Sequence, residues 1–123
     1  MATITIEKMA ARSFDNPDEV RKPQNATVSV NNFGEASVAQ FTFEPGWTWA
    51  ESVKPIVGTE HCEGTHVGYC TAGELEVWTP DGERVTIRAG DAYAIPPGHD
   101  AKVVGDKAYS GIEFASAATY AKK

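Results

Sequence analysis

All three histidines of the 123-residue chain, His61, His66 and His99, fall in the stretch from Gly58 to His99, together with both cysteines, Cys62 and Cys70. Imidazole binds Zn, Fe, Ni, Cu and Mn, and three imidazoles on one ion leave positions open for water or a substrate. Cys62 competes with its neighbour His61 for the third ligand place, and its thiolate favours zinc or another soft metal. The expectation is a divalent transition metal (Fe, Zn, Mn or Ni) on His66, His99 and either His61 or Cys62. The bland alternative makes His66 a hydrogen-bonded interior histidine and His61 a rim residue.

Other groups nearby have possible roles. Glu51 lies in a connecting segment over the expected mouth of the site and is a candidate general acid or base, with solvated surface as the competing reading. Trp49 and Tyr69 are candidate walls of a substrate pocket. Trp49 alternates with Trp47 so that both indoles share a face, and packing is the simpler role for all three rings. Glu60 and Asp100 are candidate carboxylates for orienting a metal-bound imidazole. Cys70 reads as a buried apolar residue. The chain contains no Gly-x-Ser-x-Gly elbow and no Gly-rich phosphate loop between a strand and a helix.

The elements that must position these residues are strands. Apolar and polar residues alternate over Ala36 to Phe43, His66 to Thr71, Glu74 to Thr79, Arg84 to Arg88, Tyr93 to Ile95, Lys102 to Val104 and Tyr109 to Phe114. Asp81-Gly82 is a strong hairpin signal, and Pro96-Pro97-Gly98 is turn chemistry that sets where His99 points. On the strand from His66, parity puts His66, Gly68 and Cys70 on one face. Met1 to Glu7 and Thr27 to Val30 read as further short strands, and Asn31 to Gly34 as a turn. A turn of helix is expected near Asn16-Pro17-Asp18-Glu19, and a plain loop from Glu51 to Gly58. Ala115 to Lys123 reads as a polar tail with at most one helical turn. Strands every 8–12 residues without a long 3.6-residue period indicate an all-β antiparallel sandwich or barrel. The expected organisation is a single domain over residues 1–123, with a core over about 36–115 and an N-terminal strand or arm over 1–30.

Hydrophobic residues make up 41% of the chain and charged residues 23%, an ordinary globular composition. The net charge of −6 disfavours nucleic acid and anionic membrane surfaces as partners. No apolar run reaches the roughly 20 residues of a membrane helix. Met1 to Lys8 does not read as a signal peptide, so a cytoplasmic location with unpaired cysteines is expected.

Gly90-Asp91-Ala92-Tyr93-Ala94-Ile95-Pro96-Pro97-Gly98 fits the start of the second cupin motif, and Gly73 the end of the first. Over about Phe41 to Phe114 the sequence resembles the cupins, which implies a small antiparallel jelly-roll barrel. The ligand positions depart from the family pattern. His66 takes the slot of the family's Glu, His61 or Cys62 the second histidine slot, and Ala101 the last histidine slot, with His99 directly after Gly98. The resemblance implies a metal-dependent enzyme acting on a small organic molecule, of oxygenase, isomerase or lyase type. The alternative is a non-catalytic ligand-binding or sensor cupin with Trp47 and Trp49 lining an apolar pocket; a metal-independent, sugar-isomerase-like cupin ranks last. A homodimer is expected, because small open barrels leave edge strands to cover and the N-terminal strand could cover a partner's edge.

Overall fold

The computed structural model describes residues 5–115 and residue 122. Nine strands lie among these residues: β1 (Glu19–Arg21), β2 (Ala26–Phe33), β3 (Ala36–Phe43), β4 (His66–Ala72), β5 (Glu74–Trp78), β6 (Arg84–Arg88), β7 (Ala92–Ile95), β8 (Asp100–Val103) and β9 (Tyr109–Ala115). They form a six-stranded sheet, ordered β1-β2-β3-β9-β4-β7, and a three-stranded sheet, ordered β6-β5-β8. Every pairing is antiparallel. This is the all-β antiparallel architecture expected from the strand pattern, in the jelly-roll form that the cupin resemblance implies.

Burial alternates along much of both sheets, as one buried face requires. Val28, Val30, Phe41 and Cys70 of the large sheet and Leu75, Val77 and Ile87 of the small one meet in a single apolar core. Phe43 stacks on Trp47, with centroids 3.9 Å apart and planes 2° from parallel. Gly68 is compulsory where β4 and β9 come together. A Cβ there would stand 2.4 Å from the Ile112 carbonyl oxygen and 2.8 Å from the Tyr93 hydroxyl. The ladder also slips beside Gly68, between Val67 and Gly68.

Several local expectations are corrected. Trp49–Ser52 and Lys54–Val57 are two short helices, α1 and α2, rather than a continued alternation and a plain loop. Thr48 caps α1, its hydroxyl accepting from the Glu51 amide, and Pro55 occupies the first turn of α2, where its missing N–H costs nothing. Glu19 begins a strand, so the helical turn over residues 16–19 does not form. Asn31 to Phe33 continue β2 instead of turning. The barrel therefore starts well before residue 36. Residues 5–10 form no strand. The remainder of the expected N-terminal strand, and the tail from 116 to 121, lie outside the described residues. No helix among the described residues is long and apolar enough to cross a membrane.

Candidate metal centre

Two chain segments are joined by their backbones at the end of the barrel. Cys62 and His99 form an antiparallel bridge, with Cys62 N–H donating to the His99 carbonyl at 2.8 Å and Gly98 N–H to the Cys62 carbonyl at 2.8 Å. The turn that delivers His99 needs Gly98, which sits at φ 91°. Neighbouring residues on extended backbone face opposite ways. Cys62 and His99 therefore point inward, both buried. Their neighbours His61 and Asp100 point to the rim, where His61 Nδ1 lies 3.6 Å from Asp100 Oδ2. His66 opens β4 on the inward face and is also buried.

The result is a cluster of Cys62, His66 and His99, whose ligand atoms all lie within 4.8 Å of one another. His61 is outside it. Of the two candidates left open for the third place, the fold brings Cys62 to the two histidines. Cys62 Sγ is 3.6 Å from His66 Nε2, and the His66 and His99 rings are 5.0 Å apart.

The outer partners fix which nitrogens face the cluster. His99 Nδ1 is 2.7 Å from the Pro96 carbonyl oxygen. A carbonyl only accepts, so Nδ1 carries a proton, and Nε2 is the nitrogen left facing the cluster. His66 Nδ1 donates to Glu113 Oε1 at 2.7 Å. Glu113 is buried; its other oxygen accepts from Tyr93 at 2.7 Å, and the Tyr109 hydroxyl donates to Tyr93 at 3.0 Å. A carboxylate behind an imidazole in this way orients it and makes it a better donor. Glu113 does what Glu60 and Asp100 were expected to do. Glu60 is exposed and 3.8 Å from Lys54, and Asp100 faces His61. Strand parity carried the signal: in Tyr109-Ser110-Gly111-Ile112-Glu113 the carboxylate shares the inward face with Tyr109.

The electrostatics follow from the geometry. Burial pushes the Cys62 thiol up, but hydrogen bonds from His66 and His99 and their charges outweigh it, bringing the pKa down to about 6. Burial pushes His66 down, and the Cys62 and Glu113 contacts outweigh that, raising it to about 9. Burial is also the main reason that Tyr93 and Tyr109 are raised out of the titrating range, so both stay protonated donors. Both shifts favour a Cys62 thiolate beside a His66 imidazolium when no ion is bound.

These residues fit a metal. One thiolate and two imidazole nitrogens are a borderline-soft set suited to zinc, and three protein ligands leave a fourth position open. In a tetrahedral site, bond lengths of about 2.3 and 2.1 Å separate sulfur and nitrogen by roughly 3.6 Å, the spacing between Cys62 and His66. Space exists as well: a Cβ on Gly64 would stand 3.2 Å from His66 Nε2 and 3.7 Å from Cys62 Sγ. The absent side chain is what keeps this volume clear.

The other expected site residues lie elsewhere. Trp49 is buried and lines the interior beside His66, but the cavity there has only about 20 Å³, room for one water. Trp47 and Trp49 fill the barrel, and neither indole N–H has a hydrogen-bond partner among the described residues. Tyr69 is 46% exposed, on the opposite face of β4 from His66, and so does not line the interior. Glu51 is exposed at the start of α1, its carboxylate 3.1 Å from the Thr48 hydroxyl, and is not among the residues of the cavity wall. A larger cleft of about 320 Å³ opens between β6 and β7; Val77, Ile95 and His99 line both it and the interior cavity.

Comparison with known proteins agrees with this architecture. No curated protein matches the chain. A solved protein of unknown function from Rhizobium leguminosarum is 21% identical, with a TM-score of 0.61 over 89% of this chain and 98% of that one. The polyketide cyclase RemF from Streptomyces resistomycificus is 16% identical, with a TM-score of 0.63 over 88% and 79%. A cupin domain from Bordetella pertussis is 21% identical, with a TM-score of 0.51 over 77% and 96%. At these identities the likeness concerns the fold. The cupin-domain family model matches residues 40–109, more than half of the chain, and includes all three residues of the cluster; by that match the chain belongs to the cupin family.

Proposed function

We propose that the protein binds one zinc-like transition metal through Cys62, His66 and His99 and is an enzyme of lyase or isomerase type acting on a small organic molecule. The observation that carries this reading is the burial of three metal-ligating atoms within 4.8 Å of one another. An ion bound there supplies Lewis-acid polarisation of a substrate oxygen. The chain does the rest. Glu113 and the Pro96 carbonyl hold the two imidazoles with Nε2 toward the cluster. Gly64 keeps a side chain out of the space beside them. The thiolate argues against manganese, which prefers oxygen ligands, and for zinc.

Substrate approaches by the cleft between β6 and β7. Its volume falls within the usual range for small-molecule sites, its wall carries Ile87, Tyr93 and Ile95, and His99 joins it to the interior. The competing picture, a barrel lumen that binds an apolar ligand between Trp47 and Trp49, loses support because those rings fill the lumen. A reducing, cytoplasmic setting suits a thiolate ligand, and both cysteines are free.

Elemental analysis of freshly purified, untagged protein tests the reading. The expected result is close to one equivalent of zinc, lost in the Cys62→Ser and His66→Ala variants. Protein that holds no metal even after incubation with zinc overturns it.

A second reading draws on the same contact. Cys62, His66 and Glu113 stand in the order nucleophile, base and orienting carboxylate. Iodoacetamide distinguishes the two. A metal site protects Cys62 when zinc is added, whereas a nucleophile with no affinity for metal reacts at an unchanged rate.

A further inference from the structure

Trp47 and Trp49 take no part in holding a metal, yet the fold fixes both firmly. Thr48 between them is extended and forms an antiparallel bridge with Lys102 of β8. The Val103 amide donates to the Trp47 carbonyl at 3.0 Å. Extended backbone at Thr48 sends its two neighbours to the same side. Trp47 is 2% exposed and Trp49 1%.

An indole N–H can only donate. Neither of these two has a hydrogen-bond partner among the described residues. Burial strips such a donor of solvent, and folded proteins seldom leave it without a replacement acceptor. Both rings line the interior cavity of about 20 Å³, whose wall also carries His66, His99 and Glu113. A purely apolar cavity stays dry, whereas one of this size with several polar groups in its wall suits a bound water.

We infer that this cavity is a binding site for one water molecule, which accepts from the indole N–H groups of Trp47 and Trp49 and lies on the imidazole side of the barrel. Chemistry and volume select the occupant. The tryptophans offer donors alone, so the occupant must present lone pairs to both. A halide ion would do that much. Glu113, however, is an acceptor in the same wall, and its two carboxylate oxygens have room for more than the bonds from His66 and Tyr93. Water has hydrogens to give it, and a halide has none. The site also sorts ligands by size. Val77, Ile95 and His99 stand in the walls of both the cavity and the cleft of about 320 Å³ between β6 and β7. An organic molecule fits the cleft only, and what meets the imidazoles from inside the barrel is water.

Cross-relaxation between water and the indole protons tests this, by nuclear magnetic resonance on the full chain as purified, labelled with nitrogen-15 at tryptophan. Trp47→Phe and Trp49→Phe variants assign the signals. Both indole protons should show a cross-peak to water with the sign of a molecule that tumbles with the protein. The sign should reverse in the rotating frame, which separates cross-relaxation from proton exchange. Ala101 is buried and lines the cavity, so Ala101→Val fills the space and should abolish both cross-peaks. Parent protein whose indole protons show no cross-relaxation with water has a dry cavity, and that result alone overturns the inference even if Ala101→Val fails to fold. Cross-peaks that survive in folded Ala101→Val protein overturn it too, because the water then lies elsewhere.

Discussion

Gly64→Ala isolates the metal proposal more cleanly than removal of a ligand. The substitution adds one methyl group and no charge. Gly64 is not among the glycines with left-handed backbone, so alanine imposes no backbone strain. The new Cβ would stand 3.2 Å from His66 Nε2, 3.5 Å from Cε1 and 3.7 Å from Cys62 Sγ. In the metal-free protein this is a tight contact, relieved by a shift of a few tenths of an ångström. With an ion bonded to nitrogen and sulfur at about 2.1 and 2.3 Å, the methyl crowds the ion or its open position. Overpacking of this kind costs about 1–3 kcal/mol, which at 1.4 kcal/mol per decade weakens binding from about fivefold to more than a hundredfold. Competition against a chromophoric zinc chelator reads the affinity, and thermal melting of the metal-free protein reads the fold. Affinity should fall while the metal-free melting curve barely moves. An affinity within about twofold of the parent, with the fold intact, would show that no ion uses the space beside Nε2 and Sγ, and the proposed centre would have to be abandoned.

Three further outcomes are expected. His61→Ala should keep full metal stoichiometry whereas Cys62→Ala should lose it; elemental analysis showing the reverse would reassign the third ligand. In metal-free protein the Cys62 thiolate absorbance should persist at neutral pH and disappear as pH falls through about 6. The raised His66 pKa contributes stability present below 6.5 and lost as pH rises through about 9; the depressed Cys62 pKa contributes stability present above 9.0 and lost as pH falls through about 6. Between those limits the folded pair holds one proton on His66 and the unfolded chain one on Cys62, so the two slopes cancel and this pair leaves stability flat with pH. Chemical denaturation of parent and Cys62→Ala/His66→Ala protein across that window checks this, and a steep difference between them would contradict the paired assignment. Gly68→Ala should destabilise the chain by about 3 kcal/mol or more, because the methyl meets backbone and two fixed side chains; an unchanged melting temperature would refute the tight approach of β4 and β9.

The parts legible in the sequence share a reason. β3 and β6 were bounded by alternation alone, and Asp81-Gly82 marked the hairpin between β5 and β6, because period and turn chemistry are local properties. The inward set of His66, Gly68 and Cys70 followed from parity for the same reason. The stretch from Trp47 to Gly58 misled because two tryptophans flanking a threonine imitate a strand. Thr48-Trp49-Ala50-Glu51 also has the threonine-to-glutamate spacing of a helix N-terminus, and that competing signal prevailed. The choice between His61 and Cys62 could not be made from the chain, since parity is lost through the Glu63-Gly64-Thr65 turn. It is set by a backbone bridge to His99, 37 residues away. Glu113 was missed because its partner His66 is 47 residues distant, and no local pattern ties a carboxylate on the last strand to an imidazole on the fourth.

That bridge between Cys62 and His99 makes the donor spacing a property of the main chain rather than of the donors. The amides and carbonyls that hold the two positions in register are indifferent to what the side chains are. A socket built this way can exchange its pins. A thiolate, an imidazole or a carboxylate at position 62 would leave the backbone from the same point and in the same direction but reach to different depths, so one substitution could change which ion is preferred without disturbing the scaffold.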